Sequence, residues 1–268
     1  MSGGEETTGY MGDPGEFVLL TYNVAGLPQG LSSSDPEAHM PQISPKLNGY
    51  DIVVVQEDFW YHPQLSAEAE HAYVSEPYTD MPELTDIGDG LNRFSRYPFE
   101  MFSRTPWWSC EGTTDCASDC LATKGFSVAR HTLDGNITVD IYNLHNEAGS
   151  CPRDEEIRDK AADDLIAEIA MRSEGKAVIV AGDFNLHEED AVDLEVYTRI
   201  ADQAGLQDAC WVLDCGSTSI DRVLFRGAQG LSLEVTQWSQ PSEFIDTEDD
   251  GPLSDHDPTA VRFSYAPE

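Results

Sequence analysis

Positive charge is scarce in this sequence. Its 268 residues include only 15 lysines and arginines against 50 aspartates and glutamates, a formal net charge of −35. A surface so acidic repels nucleic acid and anionic membrane over most of its extent. A phosphate-bearing substrate would therefore need a local cationic device, such as a metal ion. Also missing is any apolar run long enough to span a bilayer. The leading MSGGEETTG has neither the basic stretch nor the apolar core of a signal peptide. We read residues 1–16 as the loose leader of a mature or trimmed chain. The six cysteines, Cys110, Cys116, Cys120, Cys151, Cys210 and Cys215, lack the CxxC spacing of a structural zinc site. Disulfides in an oxidising compartment are the favoured reading, and free thiols in a cytosolic protein the alternative.

What is present suffices for a core. Hydrophobic residues make up 40% of the chain, which excludes wholesale disorder despite the charge. The length suits one large domain or two small ones, and a single domain over 17–268 is expected. Strands are expected at Phe17–Tyr22, Ile52–Val55, Thr138–Leu144 and Ala177–Ala181, with later ones at Arg222–Phe225 and Ala260–Phe263. Asp154–Arg172 reads as a helix with Ile157, Ala161, Leu165, Ile166 and Ile169 on one face and acidic residues in its first turn. A second helix is expected over Glu188–Ala204, stopped by Gly205. The segment Thr79–Asp119 reads as loop. This alternation suggests a layered sheet sandwich flanked by helices, with a site at one edge of the sheets.

Polar residues sit where the apolar runs stop. Thr21-Tyr22-Asn23, Gln56-Glu57, Asn143-Leu144-His145, Gly182-Asp183-Phe184-Asn185, Asp221-Arg222 and Ser254-Asp255-His256 each follow or begin a strand. Singly these are ordinary, since turns favour Asp, Asn and Gly, and Asp221 beside Arg222 could be only an ion pair. Brought together, they supply hard oxygen donors suited to Mg²⁺, with imidazoles able to exchange protons near neutral pH.

In this order the segments resemble the pattern of the endonuclease/exonuclease/phosphatase superfamily: an Asn after the first strand, Q-E, N-x-H, G-D-x-N, a later Asp, and S-D-H. The resemblance runs over residues 17–263 and implies a DNase I-like fold, a four-layer α/β/β/α sandwich of two packed mixed β-sheets flanked by helices. Within the superfamily the chain is most similar to secreted bacterial sphingomyelinases of the phospholipase C type. That likeness rests on Asp119-Cys120-Leu121-Ala122-Thr123-Lys124-Gly125-Phe126, on Cys116 before it, and on Glu147–Cys151 after the histidine. It implies a Cys116–Cys151 disulfide, leaving Cys210–Cys215 and Cys110–Cys120 as the other pairs. Two departures stand out. Leu144 replaces the family's usual Thr. The stretch Ser232–Gly251, where that branch carries an aromatic membrane hairpin, holds Trp238 and Phe244 among Glu243, Asp246, Glu248, Asp249 and Asp250. Trp107-Trp108 could serve at a lipid interface instead, or could anchor a loop.

The resemblance implies roles as well. Glu57 and Asn23 would hold Mg²⁺ (alternatively Mn²⁺, Co²⁺ or Ca²⁺), with Asp255 nearby. His256, supported by Asp221, would accept a proton from water. Asp183 and Asn185 would position nucleophile and phosphate, and His145 would donate to a phosphate oxygen. Whether Asp183 or His256 is the base stays open. Lys124 could bind phosphate or be a solvated surface charge. The activity expected is metal-dependent phosphodiester hydrolysis outside the cytoplasm by a monomer with at most peripheral membrane contact. A lipid headgroup or small phosphate ester is the favoured substrate. A DNase-like nuclease, a phosphomonoesterase and a catalytically silent binding protein are the alternatives.

Overall fold

A computed structural model describes residues 12–32, 34–78, 87–110, 120, 122–248 and 250–268. Twelve strands among them form two six-stranded sheets. The first has the order β11-β12-β1-β2-β4-β3, from β11 (Leu231–Ser239), β12 (Thr259–Pro267), β1 (Gly15–Asn23), β2 (Ile52–Gln56), β4 (Asn92–Ser95) and β3 (Tyr73–Val74). The second has the order β5-β6-β7-β8-β10-β9, from β5 (Phe99–Pro106), β6 (Gly125–Leu133), β7 (Ile137–His145), β8 (Ala177–Asp183), β10 (Asp221–Arg226) and β9 (Gln207–Asp208). Both sheets are mixed: β1 lies parallel to β2 and β7 parallel to β8, while the other pairs are antiparallel.

The central strands read as unbroken apolar runs because both of their faces are buried. Phe17, Leu19, Ile52 and Val54 face the second sheet, where they meet Val139, Ile141, Ile179 and Ala181. The opposite face of the first sheet, with Leu20, Tyr22, Val53 and Val55, packs on Met40 and Ile43 of helix α1 (Pro36–Ile43). The opposite face of the second sheet, with Tyr142, Val178 and Val180, packs on two long helices. These are α3 (Pro152–Arg172), through Ala161, Leu165 and Ile169, and α4 (Ala191–Ala204), through Val196, Tyr197 and Ile200. Short helices α2 (His62–Leu65) and α5 (Ala209–Val212) lie in connections. Three apolar layers thus separate four layers of secondary structure, the sandwich expected. No helix among the described residues is long and apolar enough to cross a membrane.

Four boundaries or assignments differ from expectation. β1 begins at Gly15, so Gly15 and Glu16 pair with Tyr265 and Ser264 instead of belonging to the loose leader. α4 begins at Ala191, not Glu188, because the Asp190 carboxylate accepts the backbone N–H groups of Val192 and Asp193 and so fixes the first turn. Within the expected loop Thr79–Asp119, β4 and β5 form. β4 is buried but polar, and its Arg93 donates to the Ile141 carbonyl and the Ser127 hydroxyl, so it carries no apolar signature. Within Ser232–Gly251, Ser232–Ser239 belong to β11, which pairs with β12.

The sheets are tied together just below the site. The fully buried Gln56 amide donates to the Asn143 side chain (2.7 Å), and Asn143 donates to the carbonyls of Val55 (2.8 Å) and Asn92 (3.1 Å). Gly182 permits the close approach of β7 and β8. It has φ +148°, and a Cβ there would lie 2.0 Å from the Leu144 carbonyl oxygen.

Candidate active site

Pairing register delivers the polar residues to one edge. His145 lies opposite Asp183 across β7 and β8, and Asp221 lies opposite Asp183 across β10 and β8. Asn23 ends β1, and Glu57 follows β2 with φ +58°, a strained setting for a non-glycine residue. Asn185, with φ +48°, turns the chain out of β8 so that its backbone N–H reaches Asp183 Oδ1 (3.0 Å) while its side chain donates to the Asn146 carbonyl (3.1 Å).

Two arrangements meet at Asp183. In one, His256 Nδ1 donates to Asp221 Oδ2 at 2.7 Å, and its Nε2 is turned toward Asp183 Oδ2 at 3.8 Å. Burial alone would depress this imidazole, but the hydrogen bond and charge of Asp221 outweigh it and lift His256 to about 10. In the other, Asn23 Nδ2 donates to both Glu57 Oε1 (3.2 Å) and Asp183 Oδ2 (3.1 Å). His145 Nε2 stands 3.5 Å from Asp183 Oδ2 and 3.9 Å from Glu57 Oε1. Burial, reinforced by the positive charges of Lys124 and His256, holds His145 neutral, far below its ordinary range.

The carboxylates are strained electrostatically. Burial raises Glu57, partly offset by Lys124 and the Asn23 amide. Burial together with the charge of Asp221 raises Asp183 to about 6. Asp221 is raised by burial in spite of His256, and its Oδ1 is buried without a hydrogen-bond partner. Ligand atoms of Asp183, Asp221 and His256 lie within 4.8 Å of one another. Buried oxygen donors whose charge exceeds that of their neighbours suit a hard divalent cation. Asn23 presents its amide nitrogen to the cluster, while its Oδ1 accepts the Ala25 N–H at 3.1 Å. To offer a cation oxygen, the amide must turn over.

The remaining expected residues fall around this centre. Asp255 is exposed and lies outside the tight cluster, although its charge is felt at Asp221 and His256. Lys124 is half-buried, and its charge bears on Glu57, Asp183 and His145, so it belongs to the site's electrostatics and is not merely solvated. Trp107 is buried: its indole N–H donates to the His145 carbonyl (2.9 Å) and its backbone N–H to the Lys124 carbonyl (2.9 Å), which makes it a loop anchor. Trp108 is exposed, with Arg153 over its ring. Ser254 was legible only as part of S-D-H, yet its hydroxyl donates to the Asn23 carbonyl (2.7 Å) and accepts the His256 N–H (3.2 Å), joining the two arrangements. The disulfides Cys110–Cys120 and Cys210–Cys215 are formed. Cys116, and with it the expected Cys116–Cys151 bridge, lies outside the described residues, as do Asp119 and Leu121 of the lysine motif.

The chain is 33% identical over 273 residues to a sphingomyelinase of Mycobacterium bovis, a match that covers 94% of this chain and 53% of that protein. The chain therefore spans about half the length of the curated relatives it matches. Beta toxin from Staphylococcus aureus, in a mutant crystallised with bound magnesium ions, superposes with a TM-score of 0.66 at 15% identity, covering 91% or more of both chains (92% of this one, 99% of that one). D. rerio TDP2 complexed with a single-strand DNA product superposes with a TM-score of 0.70 at 18% identity, covering 92% of this chain and 98% of that one. The model of the Endonuclease/Exonuclease/phosphatase family matches residues 20–256. The chain belongs to the endonuclease/exonuclease/phosphatase family.

Proposed function

We propose that the chain is a secreted, Mg²⁺-dependent phosphodiesterase of the sphingomyelinase or phospholipase C type. The observation that carries this is the Asp221–His256 pair aimed at Asp183, beside the half-buried Glu57 and the buried Asn23. Sequence similarity to sphingomyelinases supports the lipid branch, and the two disulfides support an oxidising compartment. The net charge of −35 favours a zwitterionic headgroup over a polyanion.

Glu57, with Asn23 after its amide turns, would hold the cation. A bound ion would polarise a phosphoryl oxygen and, by offsetting the carboxylates, would favour the neutral form of His256. His256 Nε2 then takes the proton of the attacking water, while Asp221 fixes the ring through Nδ1 and stabilises the imidazolium that forms. Asp183, held by Asn23 and by the Asn185 N–H, orients the water. His145, kept neutral, offers its Nε2–H to a non-bridging oxygen, and Lys124 adds positive charge at the same edge.

A side-by-side assay with Mg²⁺ on sphingomyelin vesicles, plasmid DNA and a soluble aryl phosphodiester tests the reading. Vesicle and aryl ester turnover that stops in EDTA and returns with Mg²⁺ is expected. Cleavage of DNA alone would overturn the lipid assignment, and turnover that persists in chelator would overturn the metal role.

A further inference from the structure

Glu57 sits one residue past β2 with φ +58°, a setting that persists only where the surroundings over-determine it. The grip falls on its neighbour, Asp58. The Asp58 backbone N–H donates to the Gly90 carbonyl (3.1 Å). Its fully buried carboxylate accepts the Asn92 side-chain amide (2.8 Å) and meets His62 Nδ1. Gly90 presses on the same stretch of chain: it has φ +61°, and a Cβ there would lie 2.9 Å from the Glu57 Cα. The segment 88–92 is therefore a mould for the turn that presents Glu57.

The mould is fastened from the other sheet. Arg104 lies on β5, at the edge of the second sheet, and its guanidinium crosses to the segment leading into β4 of the first. Nη1 donates to Asp89 Oδ1 and to the Leu91 carbonyl (2.8 Å). Nη2 donates to the Asn92 side-chain oxygen (2.8 Å) and to the Glu76 carbonyl (2.8 Å). Asp89 Oδ1 also accepts the Leu91 N–H (3.0 Å). The Arg104 and Asp89 side chains are only 13% and 7% exposed, and the guanidinium lies 4.9 Å from the centre of the Phe102 ring. The same segment reaches a second arm of the site: the Gly88 carbonyl accepts the N–H of Thr123 (3.0 Å), the residue before Lys124.

We infer that Arg104 and Asp89 are positioning residues, which hold Glu57 and Lys124 in register at the cation-binding edge. The inference rests on the roles proposed for those two groups, whereas the fastening itself stands apart from them. Arg104 acts through Asp89, Leu91 and Asn92, and so through backbone, not on the substrate. A lysine cannot replace it, because an ammonium is a point charge without the planar fork that serves several acceptors at once. The competing reading is an ion pair that stabilises the fold and leaves the site unaffected.

The experiment compares Arg104→Lys with wild type, each as the whole chain. Amide hydrogen exchange in EDTA reads the Asp58 and Thr123 N–H groups, calorimetry reads the Kd for Mg²⁺, and a soluble aryl phosphodiester reads turnover. The variant should speed exchange at Asp58 and Thr123 by at least about tenfold while the β8 amides keep their protection. Its Mg²⁺ affinity should fall by about tenfold or more, as for other groups that orient a metal ligand, and turnover at saturating Mg²⁺ should fall with it. Should Arg104→Lys fail to fold, Asp89→Asn makes the same comparison, since it keeps the side-chain shape and removes the charge. A folded variant with wild-type Mg²⁺ affinity would overturn the positioning role, even with a lowered Tm. Loosening that spreads equally to β8, or two variants that both fail to fold, would overturn it as well, because the pair would then serve folding alone. Wild-type protein that neither binds Mg²⁺ nor cleaves the ester would overturn the phosphodiesterase reading; faster exchange at Asp58 and Thr123 in the variant would still uphold the fastening.

Discussion

Asp221→Asn removes one charge from the site and keeps the shape of the side chain. The amide can still accept the His256 Nδ1–H through its oxygen, so the ring orientation survives while the electrostatic support is lost. In the intact site His256 is lifted from its ordinary 6.5 to about 10 against the effect of burial. At ~1.4 kcal/mol for each tenfold in proton affinity, that is an interaction on the order of 5 kcal/mol. Most of it comes from Asp221, which acts on the ring both as hydrogen-bond partner and as charge. The variant should therefore bring His256 back toward or below its ordinary value, a loss of more than about a hundredfold in proton affinity. It is read by NMR titration of the imidazole Cε1–H in EDTA, with His256→Gln assigning the resonance. Turnover with Mg²⁺ should fall by roughly 10²–10⁴-fold, the range for a disabled acid–base group. A His256 midpoint that does not move would refute the claim that Asp221 sets its protonation. A moved midpoint with near wild-type turnover would refute the claim that Asp221 supports His256 in catalysis.

Four further outcomes follow from the same groups and from the surface. Mg²⁺ at about a hundred times its Kd should stabilise the fold by ~2.7 kcal/mol, seen as a rise in Tm, and Glu57→Gln should abolish most of that rise; an undiminished rise would remove Glu57 from the cation site. In EDTA the protonated form of Asp183 favours the fold, because its pKa is raised from 3.8 to about 6. The Tm should thus fall as pH rises across that window, and Asp183→Asn should flatten the fall; an unchanged slope would count against the raised value. The stability that His256 contributes is complete below its ordinary 6.5 and is lost as pH rises through about 10, so a second decline belongs to that range. Finally, NaCl raised from 0.01 M to 1 M shortens the Debye length from ~30 Å to ~3 Å and should raise Tm by relieving self-repulsion; a Tm that falls would show that attractive pairs dominate the surface.

Strands buried on both faces were legible because FVLLTY, IVVV and AVIVA announce themselves locally. β4 was not. Its Asn92, Arg93 and Ser95 are buried polar residues whose partners, such as Asn143, Ile141 and His131, lie far along the chain. The same division holds at the site. Asn23, Glu57, His145, Asp183, Asp221 and His256 stood out as polar residues at strand ends, and pairing register brings their ends together. The direction in which the Asn23 amide points, the hold of Trp107 on His145 and the junction at Ser254 depend on packing between sheets, and no local pattern encodes them. Lys124 read equally well as a surface charge, whereas in the fold its charge bears on Glu57, His145 and Asp183.

His145, Asp183 and Asp221 occupy one rung across three neighbouring strands. The lateral spacing of such a rung is fixed by backbone hydrogen bonding at about 4.8 Å per strand. The rung is thus a ruler built into the scaffold: no single substitution in a connecting loop can lengthen it, and only a change in side-chain length, such as Asp183→Glu, alters the reach of one mark. Divergence toward other phosphate esters must then come from the segments that frame the ruler, with its graduations left untouched.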